Sequence, residues 1–194
     1  MNQSLSKKEQ TRRRMLDAAS QGFRRHGFAG IGVDGIAKAA GVTSGAFYAH
    51  LGSKDAAFQA ALIEGLDEVI QNIPLFQRDH NTEWVKAFAD YYLGQPHRED
   101  LECGCAMASL TPEVVRGDKE LHRLYEEKMT TIARIVAKGL GGGTQKNREA
   151  RAWSMLGVLI GGLNVARGMN SLDIAETIAD AIKSAAISAA GQTL

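Results

Sequence analysis

Apolar residues recur every three or four positions along most of this chain, which is the spacing of an α-helix and not of a β-strand. The clearest apolar stripe contains Phe58, Leu62, Leu66, Val69 and Ile73. A longer stripe extends over residues 118–139. No segment alternates apolar and polar residues in the way that a half-buried strand does. The pattern therefore predicts an all-α protein of about nine helices.

Capping and helix-breaking residues predict where several of these helices begin and end. Ser6 and Glu9 have the spacing of a capping box, and Gly27 is expected to end the first helix. Ser53 is expected to cap a helix that Pro74 then stops, because proline disrupts a helix interior.

The stretch from Val33 to Lys54 reads as two short helices joined by a tight turn. Gly41 is suited to leave the first helix with positive φ, and Thr43 is suited to cap the second. The second helix is expected to bury Phe47 and to present small, hydrogen-bonding side chains on its other faces. Such a helix-turn-helix fits the major groove of DNA.

Charge is distributed unevenly along the chain, although the net charge is only +1. The first 54 residues contain nine Lys or Arg and three Asp or Glu, a balance of about +6, and the remainder carries about −5. A local positive excess favours approach to DNA phosphates, because counterion release contributes much of the binding free energy. The basic part of the chain is thus also the part that carries the helix-turn-helix.

The same residues resemble the N-terminal domain of the TetR family of bacterial transcriptional regulators. The resemblance rests on Gly41-Val42-Thr43-Ser44, Phe47-Tyr48, His50 and Ser53-Lys54-Asp55, and extends upstream through Arg12-Arg13-Arg14, Phe23 and His26-Gly27-Phe28. It implies an N-terminal three-helix DNA-binding domain at residues 1–54 and a C-terminal helical ligand-binding and dimerisation domain at residues 55–194. The residues that it assigns to contacts with double-stranded DNA are Thr43, Ser44, Gly45, Tyr48, His50 and Lys54.

The predicted reading helix contains no Arg, Asn or Gln, the side chains that make bidentate contacts with guanine or adenine. Direct readout of bases is therefore expected to be modest. Methyl contacts, water and DNA shape are expected to supply much of the specificity, at a palindromic site.

An uncharged run between Arg151 and Arg167 has Gly157 and Gly161 in GxxxG spacing, which in a membrane would mark a dimerising helix. The run is shorter than the roughly 20 residues that a bilayer requires, so we interpret it as a buried helix outside any membrane. The family resemblance implies a homodimer formed by the last two helices. The small residues expected at that interface are Ser154, Gly157, Gly161, Gly168, Ala175, Ala179 and Ala186.

Aromatic and methionine side chains concentrate in the middle of the chain, where they are suited to bind a small apolar or aromatic effector. The family resemblance implies a repressor whose operator binding such an effector opposes. The candidate ligand-binding residues are Trp84, Phe88, Tyr91, Tyr92, Cys105, Met107, Tyr125, Met129 and Met155.

Three other functions stay open from the sequence. Cys105 precedes an apolar segment, and a thiolate there is suited to sense electrophiles or oxidants. The bundle is also compatible with a small-molecule carrier or enzyme, and a helix-turn-helix can serve protein contacts. The five histidines show no metal-ligand spacing, so we predict no metal, no cofactor and no catalytic site. No signal peptide or membrane anchor is recognised, and a cytoplasmic location is expected.

Overall fold

The computed structural model describes residues 6–192, and within them the chain is all-α, as predicted. It contains eleven α-helical segments, one short 3-10 helix at Asn81–Glu83 and no strand between residues 6 and 192. The helices are α1 (Lys7–Gly30), α2 (Val33–Ala39), α3 (Ser44–Leu51), α4 (Lys54–His80), α5 (Trp84–Leu93), α6 (Gln95–Glu99), α7 (Ala106–Ser109), α8 (Thr111–Val115), α9 (Lys119–Gly139), α10 (Gln145–Arg167) and α11 (Leu172–Ala189).

The chain folds into two compact units. Among the described residues, the first unit comprises residues 6–65 together with Leu101–His122, and the second comprises Leu66–Asp100 together with residues 123–192. Helix α4 begins in the first unit and ends in the second. The predicted functional boundary at residue 54 coincides with the start of α4 and stays a prediction.

Helix α1 forms the base of the first unit. The Ser6 hydroxyl accepts from the Glu9 amide at 3.3 Å and the Glu9 carboxylate accepts from the Ser6 amide at 2.8 Å, which is the predicted capping box. Helical geometry breaks at Gly27, where φ is +71°, and one further helical turn reaches Gly30. The α1 side chains that are buried in the core of this unit include Met15, Ala19 and Phe23.

The segment Leu101–His122 returns to the first unit and packs on α1. The Phe28 amide donates to the Glu113 carboxylate at 3.3 Å, and Arg25 forms an ion pair with Glu102. Helix α7 also contacts α1. Residues that lie far apart in the sequence therefore hold α1 on both sides of its break at Gly27.

Helix α4 does not stop at Pro74, so that prediction is wrong. The helix continues to His80 with Pro74 in its interior. The turns beyond the proline are held by contacts within the second unit: the Phe76 ring packs edge-on against Phe88 with centroids 5.3 Å apart, and Gln77 donates to the Ile135 carbonyl at 2.9 Å. These tertiary contacts offset the lost backbone hydrogen bond.

The second unit packs α5, α10 and α11 against one another. Trp84 is buried, and its Nε1–H donates to the Gly139 carbonyl at 2.9 Å. Helices α10 and α11 approach closely at Gly162, where an added Cβ would overlap the Ile182 side chain. Only glycine allows this approach without displacing α11.

Candidate nucleic-acid interface

The turn between α2 and α3 is built by local backbone interactions. Gly41 has φ of +67°, and its amide and that of Val42 donate to the Lys38 and Ala37 carbonyls at 3.1 and 2.9 Å. Thr43 caps α3, since its hydroxyl accepts from the Ala46 amide at 3.2 Å. These contacts end α2 and start α3 within a few residues, as the sequence predicted.

Buried apolar side chains hold α2 and α3 on α1. Phe47 is 0% exposed, and Ile36 and Leu51 are buried with it. Because these residues occupy one side of each helix, the opposite side of α3 is left on the surface. The structure therefore gives α3 one buried face and one accessible face.

Five of the six residues predicted to contact DNA lie on α3 or at its N-cap, and they differ in exposure. Thr43 and Gly45 are exposed, Tyr48 is 55% exposed, and Ser44 and His50 are half-buried. The Tyr48 ring meets the Phe47 ring edge-on, with centroids 5.7 Å apart, so the tyrosine is oriented by the core beneath it.

The sixth predicted residue, Lys54, lies in the first turn of α4, which Ser53 caps by accepting from the Ala56 amide at 3.0 Å. The Lys54 ammonium lies 4.4 Å from the centroid of the Phe28 ring. This cation–π contact places a positive charge beside a helix N-terminus, where an anion is favoured.

Sequence analysis missed Asp34, which the structure places beside the candidate interface. The Ser44 hydroxyl donates to Asp34 Oδ1 at 2.5 Å. The signal that was available is that Asp34 is the only acidic residue between Gly32 and Lys54.

One of the basic residues near the start of α1 forms ion pairs within the chain. Arg13 pairs with Asp17 (Nε to Oδ1, 2.9 Å) and with Glu64. Its neighbours Arg12 and Arg14 are exposed. Arg12 and Arg14, more than Arg13, therefore supply the positive charge that the sequence predicts for this surface.

The predicted ligand-binding residues divide between the two units. Cys105 and Met107 belong to the first unit, with Met107 buried and Cys105 half-buried at the N-terminus of α7. The remaining seven belong to the second unit, where Tyr91 is 54% exposed and Tyr125 is half-buried. The buried members of this group are Trp84, Phe88, Tyr92, Met129 and Met155.

An aromatic cluster forms part of the second unit, and it includes two residues that sequence analysis did not select. Phe76 lies 5.4 Å from Tyr91 between ring centroids, and His97 lies 4.9 Å from Tyr92. The His97 Nδ1–H donates to the Tyr92 carbonyl at 2.6 Å. Burial lowers the pKa of His97, with a smaller lowering from Arg167, while the hydrogen bond to Tyr92 raises it. Phe76 lies on α4 and His97 lies on α6. Their ring contacts with α5 arise from packing between helices, which the spacing of residues along the sequence did not indicate.

The predicted interface residues on α10 and α11 have different environments. Ser154, Gly157, Gly161 and Gly168 are exposed on α10 and at its end. Ala175, Ala179 and Ala186 are buried on the face of α11 that packs within this chain, so they do not contribute accessible surface. Side chains that expose large apolar area nearby are Trp153, Val165, Met169, Leu172 and Ile174.

Between residues 6 and 192, no group of three or more His, Cys, Asp or Glu side chains is arranged to hold a metal ion. None of the helices in that range combines the length and the apolar character needed to cross a bilayer.

Comparison with known proteins agrees with this geometry. A family model described as bacterial regulatory proteins, tetR family, matches residues 15–61. The HTH-type transcriptional repressor SCO4008 of Streptomyces coelicolor is 31% identical over 88 residues, which cover 45% of this chain and 45% of that protein. The HTH-type transcriptional regulatory protein RaaS of Mycobacterium tuberculosis is 26% identical over 151 residues, which cover 77% of this chain and 66% of that protein. The matches thus span about half to two thirds of these curated relatives.

The fold is shared over a longer stretch. A TetR-family transcriptional regulator from Cytophaga hutchinsonii has a crystal structure that matches with a TM-score of 0.79 at 17% identity, covering 96% of this chain and 98% of that one. Residues 15–61 are thus similar to the tetR family of bacterial regulatory proteins, and the whole chain has a fold that a TetR-family regulator shares.

Proposed function

We propose that this protein is a transcriptional regulator that binds double-stranded DNA through α3, which we call the recognition helix. The observation that carries the proposal is the accessible face of α3, where Thr43, Gly45 and Tyr48 are exposed above the buried Phe47. Small and hydroxyl-bearing side chains let a helix approach base edges closely, and Lys54 supplies a phosphate contact at the start of α4.

The proposal extends to a homodimer formed by α10 and α11. Gly157 and Gly161 are exposed on α10, and a Cβ added at either position would meet no atom within 4 Å apart from its chain neighbours and the backbone of the adjacent helical turns. Glycine in a helix costs roughly 1 kcal/mol relative to alanine, and no contact in the single chain requires it at these positions. A second helix that approaches closely would account for both glycines, and exposed Trp153 and Val165 would be buried in the same contact.

A two-fold dimer carries two recognition helices, so its DNA site is expected to be palindromic. Half-sites in such complexes are separated by about one helical turn of DNA or a multiple of it. Repression would follow from occupancy of such a site within a promoter.

We further propose that a small apolar or aromatic effector releases the protein from its DNA site. Its support is the density of aromatic side chains in the second unit, where Phe76, Phe88 and Tyr91 pack edge-on or tilted with ring centroids 5.3 to 5.4 Å apart. The candidate ligand residues of that unit would line the site. Because α4 is continuous from Lys54 to His80, an effector that displaces its second half would also move the phosphate contact at its start.

The decisive experiment is selection from a random pool of duplex oligonucleotides with the purified full-length protein. We expect enrichment of a two-fold symmetric sequence whose binding weakens steeply with salt, since phosphate contacts release counterions. Recovery of no enriched site, or of sites without two-fold symmetry, would contradict the proposal. Repeating the selection with a panel of aromatic compounds tests effector release on the same material.

Cys105 supports a second candidate signal, an electrophile or oxidant. Cys105 is half-buried at the start of α7, and Glu102, three residues earlier in the chain, is paired with Arg25. In this second candidate, mild oxidation abolishes DNA binding by the wild type and spares the Cys105→Ser variant. Equal sensitivity of both proteins would remove Cys105 as the sensor.

A further inference from the structure

The acidic side chain of Asp34 stands at the N-terminal turn of the recognition helix. Asp34 lies in the first turn of α2 and is exposed, and its Oδ1 accepts from the Ser44 hydroxyl at 2.5 Å. Ser44 is the first residue of α3. The ten-residue separation means that the packing of α2 against α3 creates this pair.

The pair presents only hydrogen-bond acceptors to the outside. The single hydroxyl proton of Ser44 is used in the bond to Asp34, so the serine oxygen and the carboxylate offer lone pairs. The neighbouring Thr43 hydroxyl oxygen already accepts from the Ala46 amide at 3.2 Å. A DNA group that approaches Asp34 must therefore be a donor if it is to make a hydrogen bond.

A carboxylate is an unusual group to hold next to DNA, because phosphates repel it. The stretch from Gly32 to Lys54 contains no other acidic residue. In the major groove the donors are the amino groups at N4 of cytosine and N6 of adenine, whereas guanine O6 and N7 and thymine O4 are acceptors. Adenine places its N7 acceptor beside the amino group, so cytosine is the base that a carboxylate accommodates best.

We infer that Asp34, oriented by Ser44, is a specificity-determining residue that selects cytosine at one position of each half-site. The inference rests on the proposed DNA binding. The side chain accepts from cytosine N4 and repels the acceptor edges of guanine and thymine, so it acts as much by rejecting wrong bases as by favouring the right one. Its charge also weakens non-specific binding and thereby widens the ratio between specific and non-specific affinity.

The test compares base preferences of wild type and the Asp34→Asn variant on the selected site, at one fixed salt concentration. Each half-site position is changed in turn to all four bases, and the dissociation constant is measured by fluorescence anisotropy. At one position per half-site we expect wild type to prefer cytosine over guanine and thymine by at least about fivefold, or about 1 kcal/mol. The amide in the variant can donate as well as accept, so we expect this preference to fall below about twofold, together with tighter binding to all sequences.

Asp17→Asn on α1 is the matched control, because it removes the same charge from an acidic residue that pairs with Arg13 and not with a residue of α3. We expect it to leave the base preference unchanged. Ser44→Ala keeps the carboxylate and removes its orienting partner, so it should reduce the cytosine preference partially. Ser44→Ala also tests the inference if Asp34→Asn folds poorly, a defect that thermal unfolding would reveal.

The outcomes separate the inference from the function on which it rests. Unchanged base preference in both Asp34→Asn and Ser44→Ala, with or without a uniform change in affinity, would mean that the pair only ties α2 to α3 and would overturn the inference. A wild type that prefers no duplex sequence would overturn the proposed function, and the role of Asp34 with it.

Discussion

Two exposed surfaces of this protein differ in chemistry: the accessible face of α3 in the first unit, and the face of α10 and α11 in the second. The α3 surface consists mainly of small and hydroxyl-bearing residues, with Tyr48 and half-buried His50 as its large side chains. The other surface exposes Trp153 to 45% and Leu172 to 69% beside the glycines of α10. Both surfaces are left over when each helix buries its opposite face in the core.

In the proposed function, one kind of element, an amphipathic helix, serves two kinds of partner. DNA presents phosphates and polar base edges, so hydrogen-bonding side chains on a helix favour binding to it. In the absence of DNA the same side chains are hydrated, so their exposure costs little free energy. A second protein chain presents apolar side chains, so large exposed apolar groups gain free energy when they are covered. In the proposed function glycine has a separate role on each surface: Gly45 would leave room for DNA, and Gly161 for a second helix.

Substitutions of the two adjacent aromatic residues of α3 test whether its buried and exposed faces have different roles. Phe47→Ala removes a fully buried ring and should cost roughly 3–5 kcal/mol, which is enough to unfold a marginal protein. Tyr48→Ala removes an exposed ring and should lower DNA affinity several-fold with a much smaller loss of stability. Thermal unfolding and anisotropy on the selected DNA site measure the two effects.

Tyr48→Phe is the control for this pair, because it keeps the ring contact with Phe47 and removes only the hydroxyl. It should leave the melting temperature nearly unchanged. Equal destabilisation by Tyr48→Ala and Phe47→Ala would show that the exposed face is part of the core's support and not a binding surface.

A leucine at Gly161 tests the second surface. Gly161→Leu has space within the single chain but would overpack a close contact with a second copy, so the dimer should dissociate at least about tenfold more readily. Sedimentation equilibrium measures the change. Glu126→Leu adds the same side chain to an exposed position of α9 and should leave association unaltered. A wild type that is monomeric at all concentrations would refute the dimer itself.

Removal of the positive charge at the start of α4 should have a smaller effect on DNA binding. Lys54→Ala should weaken binding to all sequences alike and lower the slope of log K against log salt by about one, as expected for one lost phosphate contact. Lys138→Ala removes the same charge from an exposed position of the second unit and should change neither quantity. An unchanged slope for Lys54→Ala would mean that its ammonium serves Phe28 alone.

The smallest predicted effect concerns the interior of the second unit. Burial lowers the pKa of His97, so the unfolded chain takes up a proton at the ordinary pKa of about 6.5 while the folded chain does not. The unfolding free energy should therefore fall as the pH decreases below that value, and level off below the lowered pKa. Urea unfolding between pH 8 and 5 measures this decline, which His97→Gln should flatten. His122→Gln, at an exposed histidine, should retain the wild-type profile.

Much of the first unit was predictable because its signals are local. The capping box of Ser6 and Glu9, the cap at Thr43 and the turn at Gly41 each involve residues a few positions apart. The continuation of α4 through Pro74 was not predictable, since it depends on contacts of Phe76 and Gln77 with other helices. Helical periodicity also placed small residues on α11 without showing that Ala175, Ala179 and Ala186 face their own chain.

By itself, the sequence determined the all-α class, the helix-turn-helix and the residues on the accessible face of α3, because caps, turns and helical periodicity act over a few residues. Only the tertiary structure decided that Leu101–His122 returns to the first unit and that Asp34 meets Ser44. It also decided which glycines of α10 serve this chain, as Gly162 does, and which stay accessible. These features arise from contacts between distant residues, whose free energies depend on packing that no local pattern encodes.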